Sequence, residues 1–303
     1  MNCARVLRLV ASKHRPHPSA QGQRQTRRSI SSAAEAASYH PVSQAQPSIS
    51  TSTAEPQTSR AERTLKRFWK DVHLVQDGAH GSWTILLDKR TLKTPSGLKL
   101  ALPKNKMTAA MVIAHEWDSQ ENLLKPHSLP LTSLASRALE GMSDPSVRSE
   151  VIEALTRYLH TDTVVFHEST TPALTKLQKD HWVPLIDWVN KRYNTKVEIA
   201  GEGQLFIRQS PETVEALQKP IRGYDAFTLA AFERAVMASK SYIIALGLLE
   251  GQLSADAAAQ AAHVEVQSQI ERWGEVEDTH DVDHQDVRVR LGSAAIIMNP
   301  PRQ

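Results

Sequence analysis

"YDAFTLAAFERAVMASKSYIIALGLLEG" runs from Tyr224 to Gly251 and is the most apolar stretch of the 303-residue chain. Around Tyr242–Leu249 it is apolar on nearly every side, which a helix tolerates only when surrounded. A membrane span needs about 20 unbroken apolar residues, and Glu233, Arg234 and Lys240 interrupt this one. The stretch therefore predicts a buried central helix, or two helices in line. Stable membrane insertion is not expected. A weaker role as a membrane-surface helper would rest on this run alone.

The segments on either side alternate less or step by three and four. Upstream, "TPALTKLQKDHWVPLIDWVNKRY" (Thr171–Tyr193) is a long helix that Pro184 must kink or divide. "SDPSVRSEVIEALTRYLH" opens with a capping Ser or Asp and places Pro145 in the first helical turn. "LPLTSLASRALEG" (Leu129–Gly141) is a helix that Gly141 can end. In Met107–Trp117, Met107, Ala110, Met111, Ala114 and Trp117 recur at helical spacing. Between these, "TDTVVFH" reads as an extended link, with Thr161-Asp162 capping a reversal, and "VEIAGEGQLFIR" reads as loop or short strand. Downstream, helices are expected over Ala255–Glu275 and Asp283–Met298.

Before Met107 the pattern changes to β. "FWKDVHLVQ" (Phe68–Gln76) alternates, "DGAHGS" is a turn, "WTILLD" (Trp83–Asp88) is a strand, and Lys89–Pro103 makes two short strands about Pro-Ser-Gly. So small a β unit needs cover to be stable. The fold class is α+β: a small antiparallel β-rich domain over 65–125, then a larger all-α domain over 126–303.

The N-terminal sixty residues are of another kind. Residues 1–30 hold Arg5, Arg8, Lys13, Arg15, Arg24, Arg27 and Arg28 and no acid. Taking those seven from 36 Lys and Arg leaves 29 basic against 33 acidic residues, a balance of −4 where the whole chain carries +3. A mildly acidic body gives no electrostatic reason to expect nucleic acid. "MNCARVLRLVASKHR" with "RRSISS" (Arg27–Ser32) has the composition of a mitochondrial transit peptide, with cleavage near Ile30. Cleavage would remove Cys3, the only cysteine, and with it thiol chemistry and Cys-ligated metal. Residues 31–64, rich in Ser, Thr, Ala, Gln and Pro, predict a disordered linker.

No phosphate-cradling G-x-x-x-x-G-K-[ST], no third glycine after "GEGQLF", no G-x-S-x-G elbow and no H-E-x-x-H occurs. No cofactor is expected. One stretch still concentrates chemistry: "EVQSQIERWGEVEDTHDVDHQD", Glu265 to Asp286. His280 and His284, four apart on a helix, could share a divalent ion with Asp281, Asp283 or Asp286 as oxygen donors, and this supports an alternative reading as a metal-dependent enzyme. The zincin Glu is absent, and the glycine and glutamate of an EF-hand loop do not fit. The preceding helix carries a stripe of Ala259, Ala262, Val266, Ile270 and Trp273. That spacing predicts a buried Trp273. Glu265 sits at the stripe's edge, about 100° off its centre, with no cation among its helical neighbours. Gly274 can end the helix in a left-handed cap.

"EVQSQIERWGEVEDTHD" resembles the C-terminal signature of the mitochondrial F1-ATPase assembly chaperones that bind the alpha subunit. "HEWDSQ" (His115–Gln120), "LPLTSLASRAL", "YLHTDTVVF" (Tyr158–Phe166), "TPALTKLQKDHWVPLIDW" and "RFWKDV" through "LKTPSG" follow in the family's order and spacing, covering about Leu65 to Met298. The resemblance implies a β-rich N-terminal and a helical C-terminal domain. It also implies a non-enzymatic, matrix-located chaperone that holds F1 alpha subunit soluble until beta subunit replaces it. It places Glu265 on an acidic residue needed for function, and Trp273, Gly274, Glu277 and Asp278 complete the partner-binding signature. A monomer is expected. The chain departs from the family at "MASKSYIIALGL", where a Gly or another small residue is common near Lys240. Trp117, Trp182 and Trp188 read as packing residues, Glu116 and Asp118 as local caps or pairs, and Arg137 as a partner for an acid on another element.

Overall fold

The expected strands form as Val72–Gln76 (β1) and Trp83–Leu87 (β2), an antiparallel hairpin in register from Val72 opposite Leu87 to Gln76 opposite Trp83. The computed structural model describes residues 66–78, 81–201 and 203–298. The transit peptide, its cleavage site, Cys3 and the linker over 31–64 lie outside the described residues. Arg90–Thr91 (β3) and Ala101–Leu102 (β4) both pair with the other edge of β2, and the Pro-Ser-Gly turn between them is closed by Thr94 N–H donating to the Leu98 carbonyl at 2.8 Å. Ile85, Leu87, Leu100 and Leu102 are buried. Their cover is Met107–Asp118 (α1), which packs on β1 and β2 with Ala109, Ala110 and Ile113 inward.

Pro130–Glu140 (α2) starts on a proline and lacks a side-chain cap of its own. Glu116 of α1 supplies one from outside: its carboxylate accepts from Leu131 N–H at 2.7 Å, Thr132 N–H at 3.0 Å and the Thr132 hydroxyl at 2.7 Å. These groups satisfy donors that the first helical turn leaves orphaned. Burial outweighs them and raises the Glu116 carboxyl above its ordinary value. Trp117 Nε1 donates to Thr132 Oγ1 at 3.0 Å on the same seam. Asp118 lies 3.9 Å from the Arg67 guanidinium.

Pro145–Arg157 (α3) is capped by Asp144, as its sequence predicts. The expected long helix is two, Pro172–His181 (α4) and Val183–Tyr193 (α5), parted at Trp182 because Pro184 cannot continue the ladder. Trp182 is fully buried, with its indole N–H donating to the Ala261 carbonyl at 2.8 Å. Trp188 packs against the edge of the core. Pro211–Arg222 (α6) is a helix that the sequence reading does not assign. Its start, Ser210 capping Thr213 N–H with Pro211 next, has the standard signature; Pro220 in its last turn interrupts the pattern.

The apolar stretch Tyr224–Gly251 forms Ala226–Ser239 (α7) and Tyr242–Leu249 (α8). Every residue from Tyr242 to Leu248 is buried, so α8 is the core helix that its uniform apolarity requires. Gly247 is needed for its approach to α5: a Cβ there would stand 2.9 Å from Leu185 Cδ1. The helices part at Lys240, whose φ of 54° lies in the left-handed region. That conformation costs a non-glycine residue roughly 1 kcal/mol. Ser241 then caps α8.

"TDTVVFH" is not extended. Thr163–Val165 makes one 3₁₀ turn, because Val164 and Val165 must both reach the core and Asp162 turns the chain to let them. The Asp162 carboxylate, fully buried, accepts Val164 N–H and, from the start of α8, Ile243 N–H, each at 3.0 Å. Among the described residues of "VEIAGEGQLFIR" no strand forms; Ala200 makes a single parallel bridge with Phe166.

The chain closes with Ala255–Ala262 (α9), Val264–Trp273 (α10) and Glu277–Met298 (α11). The expected Ala255–Glu275 helix is interrupted at His263. The last helix begins six residues before Asp283. α11 packs along α7 and α9, α2 packs on α7, and Arg137 of α2 grips Glu233 of α7 with two bonds of 2.9 and 2.8 Å. The described residues all fall in one compact unit. Its buried apolar side chains, from Ile85 of the sheet to Ile297 of α11, form one cluster.

Candidate partner-binding surface

The C-terminal acidic stretch folds as α10, a short turn and the first half of α11. The break at His263, with φ −99° and ψ 11°, shifts the phase between α9 and α10. The predicted stripe is therefore not one buried face. Ala258, Ala259, Ala261, Val264 and Ser268 turn inward, Ala262, Val266 and Ile270 are half-buried, and Trp273 is 70% exposed. The expectation of a buried Trp273 is corrected: α10 leaves the core before its last turn, and Arg272 stacks over the indole at 5.1 Å.

The signature residues all reach solvent. Glu265 is exposed in the first turn of α10 and makes no ion pair or side-chain hydrogen bond among the described residues. Trp273 lies about 12 Å farther along the same helix, at 1.5 Å per residue. Gly274 does not form a left-handed helical cap. Its φ of 89° and ψ of 164° place it in an extended region that only glycine enters freely, and its N–H donates to the Ile270 carbonyl at 2.8 Å. Glu277 and Asp278 are exposed in the first turn of α11, where the helix dipole favours negative charge.

From Glu265 to Asp286 the sequence holds eight carboxylates against one cation, Arg272, and all eight carboxylate residues are exposed. Trp273, Val276 and Val282 are exposed among them. The result is an acidic strip that also exposes three apolar side chains.

The histidines do other work. His280 Nδ1 accepts from Val276 N–H at 3.0 Å, ordering the turn before α11. His284 meets the Arg288 guanidinium at 2.6 Å, and Arg288 pairs with Asp256 at 2.8 Å. His263 bonds Asp283 through Nε2 at 3.0 Å. A fixed guanidinium against His284 opposes a divalent ion. No group of three or more His, Cys, Asp or Glu side chains is placed to hold a metal among the described residues. The metal-dependent reading therefore has no support in the geometry.

His181, His263, His280 and His284 instead meet around a cavity of about 300 Å³ between α4, the α9–α10 junction and α11. None of the five signature residues lines it. The sequence gives no pointer to this grouping, since His181 and His263 are far apart in the chain and carry no shared spacing.

The architecture, a small antiparallel sheet followed by a mostly helical part, is of the α+β class. It is similar to the crystal structure of Atp12 from Paracoccus denitrificans, with a TM-score of 0.68 and 27% identity, covering 80% of this chain and 100% of that one. A family model described as ATP12 chaperone protein matches residues 66–190. "Protein atp12, mitochondrial" of Schizosaccharomyces pombe is 34% identical over 241 residues, 77% of this chain and 82% of the relative. "Protein ATP12, mitochondrial" of Saccharomyces cerevisiae is 32% identical over 278 residues, 79% of this chain and 86% of the relative. The chain belongs to the ATP12 chaperone family.

Proposed function

We propose that this protein is a mitochondrial matrix chaperone for ATP synthase assembly that binds unassembled F1 alpha subunit and prevents its aggregation until beta subunit displaces it. The observation that carries the reading is the strip of eight exposed carboxylates around exposed Trp273, Val276 and Val282. An orphaned subunit exposes apolar faces that aggregate. Exposed apolar side chains can cover part of such a face, and the surrounding charge orients the encounter and rejects acidic surfaces. Beta subunit then releases the client by binding the same face more favourably.

The work needs matching surface and no bond-making centre, so we read the protein as non-enzymatic and without cofactor. Glu265, Trp273, Gly274, Glu277 and Asp278 are the proposed contact residues, with Gly274 setting the turn that presents the others. The relatives named mitochondrial support an organellar location, and the acid-free basic N-terminus supports import with cleavage near Ile30. Among the described residues no helix is long and apolar enough to cross a membrane.

The test is co-purification of F1 alpha subunit with the wild type and with Glu265→Lys. Because Glu265 is exposed and unpaired, the reversal should leave the melting temperature unchanged and deplete the recovered client. Equal recovery would refute the assignment of Glu265. A wild-type preparation that recovers no alpha subunit would refute the function itself.

A further inference from the structure

We infer that the cavity between α4, the α9–α10 junction and α11 is a subsite for one basic side chain, arginine or lysine, of the bound polypeptide; this rests on the chaperone reading above. A long basic side chain is apolar along its stem and charged at its head, and it is best received by a site divided in the same way. Leu177 of α4 and Val264, Val266 and Ile270 of α10 form an apolar wall. Glu275 and Asp283 supply carboxylates to the lining. The volume, about 300 Å³, equals roughly ten liquid waters.

The charges select the occupant. No Lys or Arg lines the cavity. Arg288, just outside, is already engaged by Asp256 and His284. Asp283 is shared with His263 at 3.0 Å. Glu275 is exposed and has no ion pair or side-chain hydrogen bond among the described residues, so it is the carboxylate left to receive a cation. An apolar ligand would gain nothing from the carboxylates of the lining, and an anion would meet the field of the whole strip. The five signature residues lie outside this cavity, which draws Glu275 and Asp283 from the same acidic strip, so it adds a recess to the surface proposed above.

Two measurements on the full chain test this. In the first, blocked arginine (Nα-acetyl-arginine methylamide) is titrated while the imidazole proton resonances are followed by NMR, with the matching citrulline derivative as neutral control. Saturable shifts of the cavity histidines with arginine and none with citrulline are expected. No shift, or equal shifts, would overturn the subsite. In the second, alpha subunit is captured with Gln267→Arg and Gln267→Glu. Gln267 is exposed at the cavity rim, so neither change disturbs packing. The arginine variant should recover about tenfold less client, while the glutamate variant should match the wild type. Undiminished capture by Gln267→Arg would overturn the subsite and leave the chaperone reading standing. If the wild type captures no alpha subunit while blocked arginine still saturates, the alpha-subunit reading fails and the subsite stands for another basic partner.

Discussion

Replacing Asp162 by Asn should destabilise the protein by an amount that grows as the pH falls. Asp162 is fully buried, and its two oxygens take Val164 and Ile243 N–H, fixing the 3₁₀ turn to the start of α8. Burial outweighs these donors and pushes the carboxyl from 3.8 up to about 6. The unfolded chain has the ordinary value, so between about pH 4 and 6 the folded chain holds a proton that the unfolded chain has lost. The group's contribution is thus fully present below the unfolded value and is lost as pH rises through the folded one. A shift of roughly two units is worth about 3 kcal/mol, at 1.36 kcal/mol per unit. Asparagine offers one carbonyl oxygen to two amide donors and turns an NH₂ toward the second. Two buried groups then lack partners, at about 2 kcal/mol each, or about 4 kcal/mol together. Near pH 7.5 the wild type carries the ionisation cost and the variant does not, so the net loss is about 1 kcal/mol. Near pH 4.5 the wild type recovers about 2 kcal/mol, and the gap widens to about 3 kcal/mol. Urea unfolding of both proteins at the two pH values, followed by tryptophan fluorescence, measures the gap directly. Other titrating groups cancel in the comparison. A gap that stays constant or narrows on acidification would refute the reasoning.

Glu116→Ala removes the external cap of α2 and leaves Leu131 and Thr132 N–H without their acceptor; a loss of about 3 kcal/mol should appear as a lower urea midpoint at unchanged slope. A double-mutant cycle on Arg137 and Glu233 should give a coupling of about 0.5–1 kcal/mol, since the guanidinium is partly exposed, and the coupling should shrink at high salt. Trp273→Ala should change stability by less than about 0.5 kcal/mol in thermal unfolding while depleting captured alpha subunit; a large drop in stability would mean the indole packs where it is found exposed.

Local signals were legible wherever the chain's own pattern set the outcome. The hairpin of β1 and β2, the division at Pro184 and the all-round apolarity of α8 each follow from side chains within a few residues of one another. α6 escaped because Pro220 broke a short pattern that its cap and N-terminal proline announced. The signature of the acidic strip was readable as residues, but its exposure was not. The same spacing that predicts a buried Trp273 is produced by a helix whose final turn projects past the core.

Sequence by itself determined the α+β class, the order of β unit and helices, the central apolar pair and the family resemblance, because these rest on periodicity, caps and local composition. Tertiary structure alone decided that Glu116 caps a neighbouring helix, that Asp162 is buried at a junction, and that four histidines from distant segments share one cavity. It also decided that His263 breaks the last helices and turns Trp273 to solvent. Those outcomes depend on which faces meet across the core, and contacts between residues far apart in the chain leave no periodic trace in it.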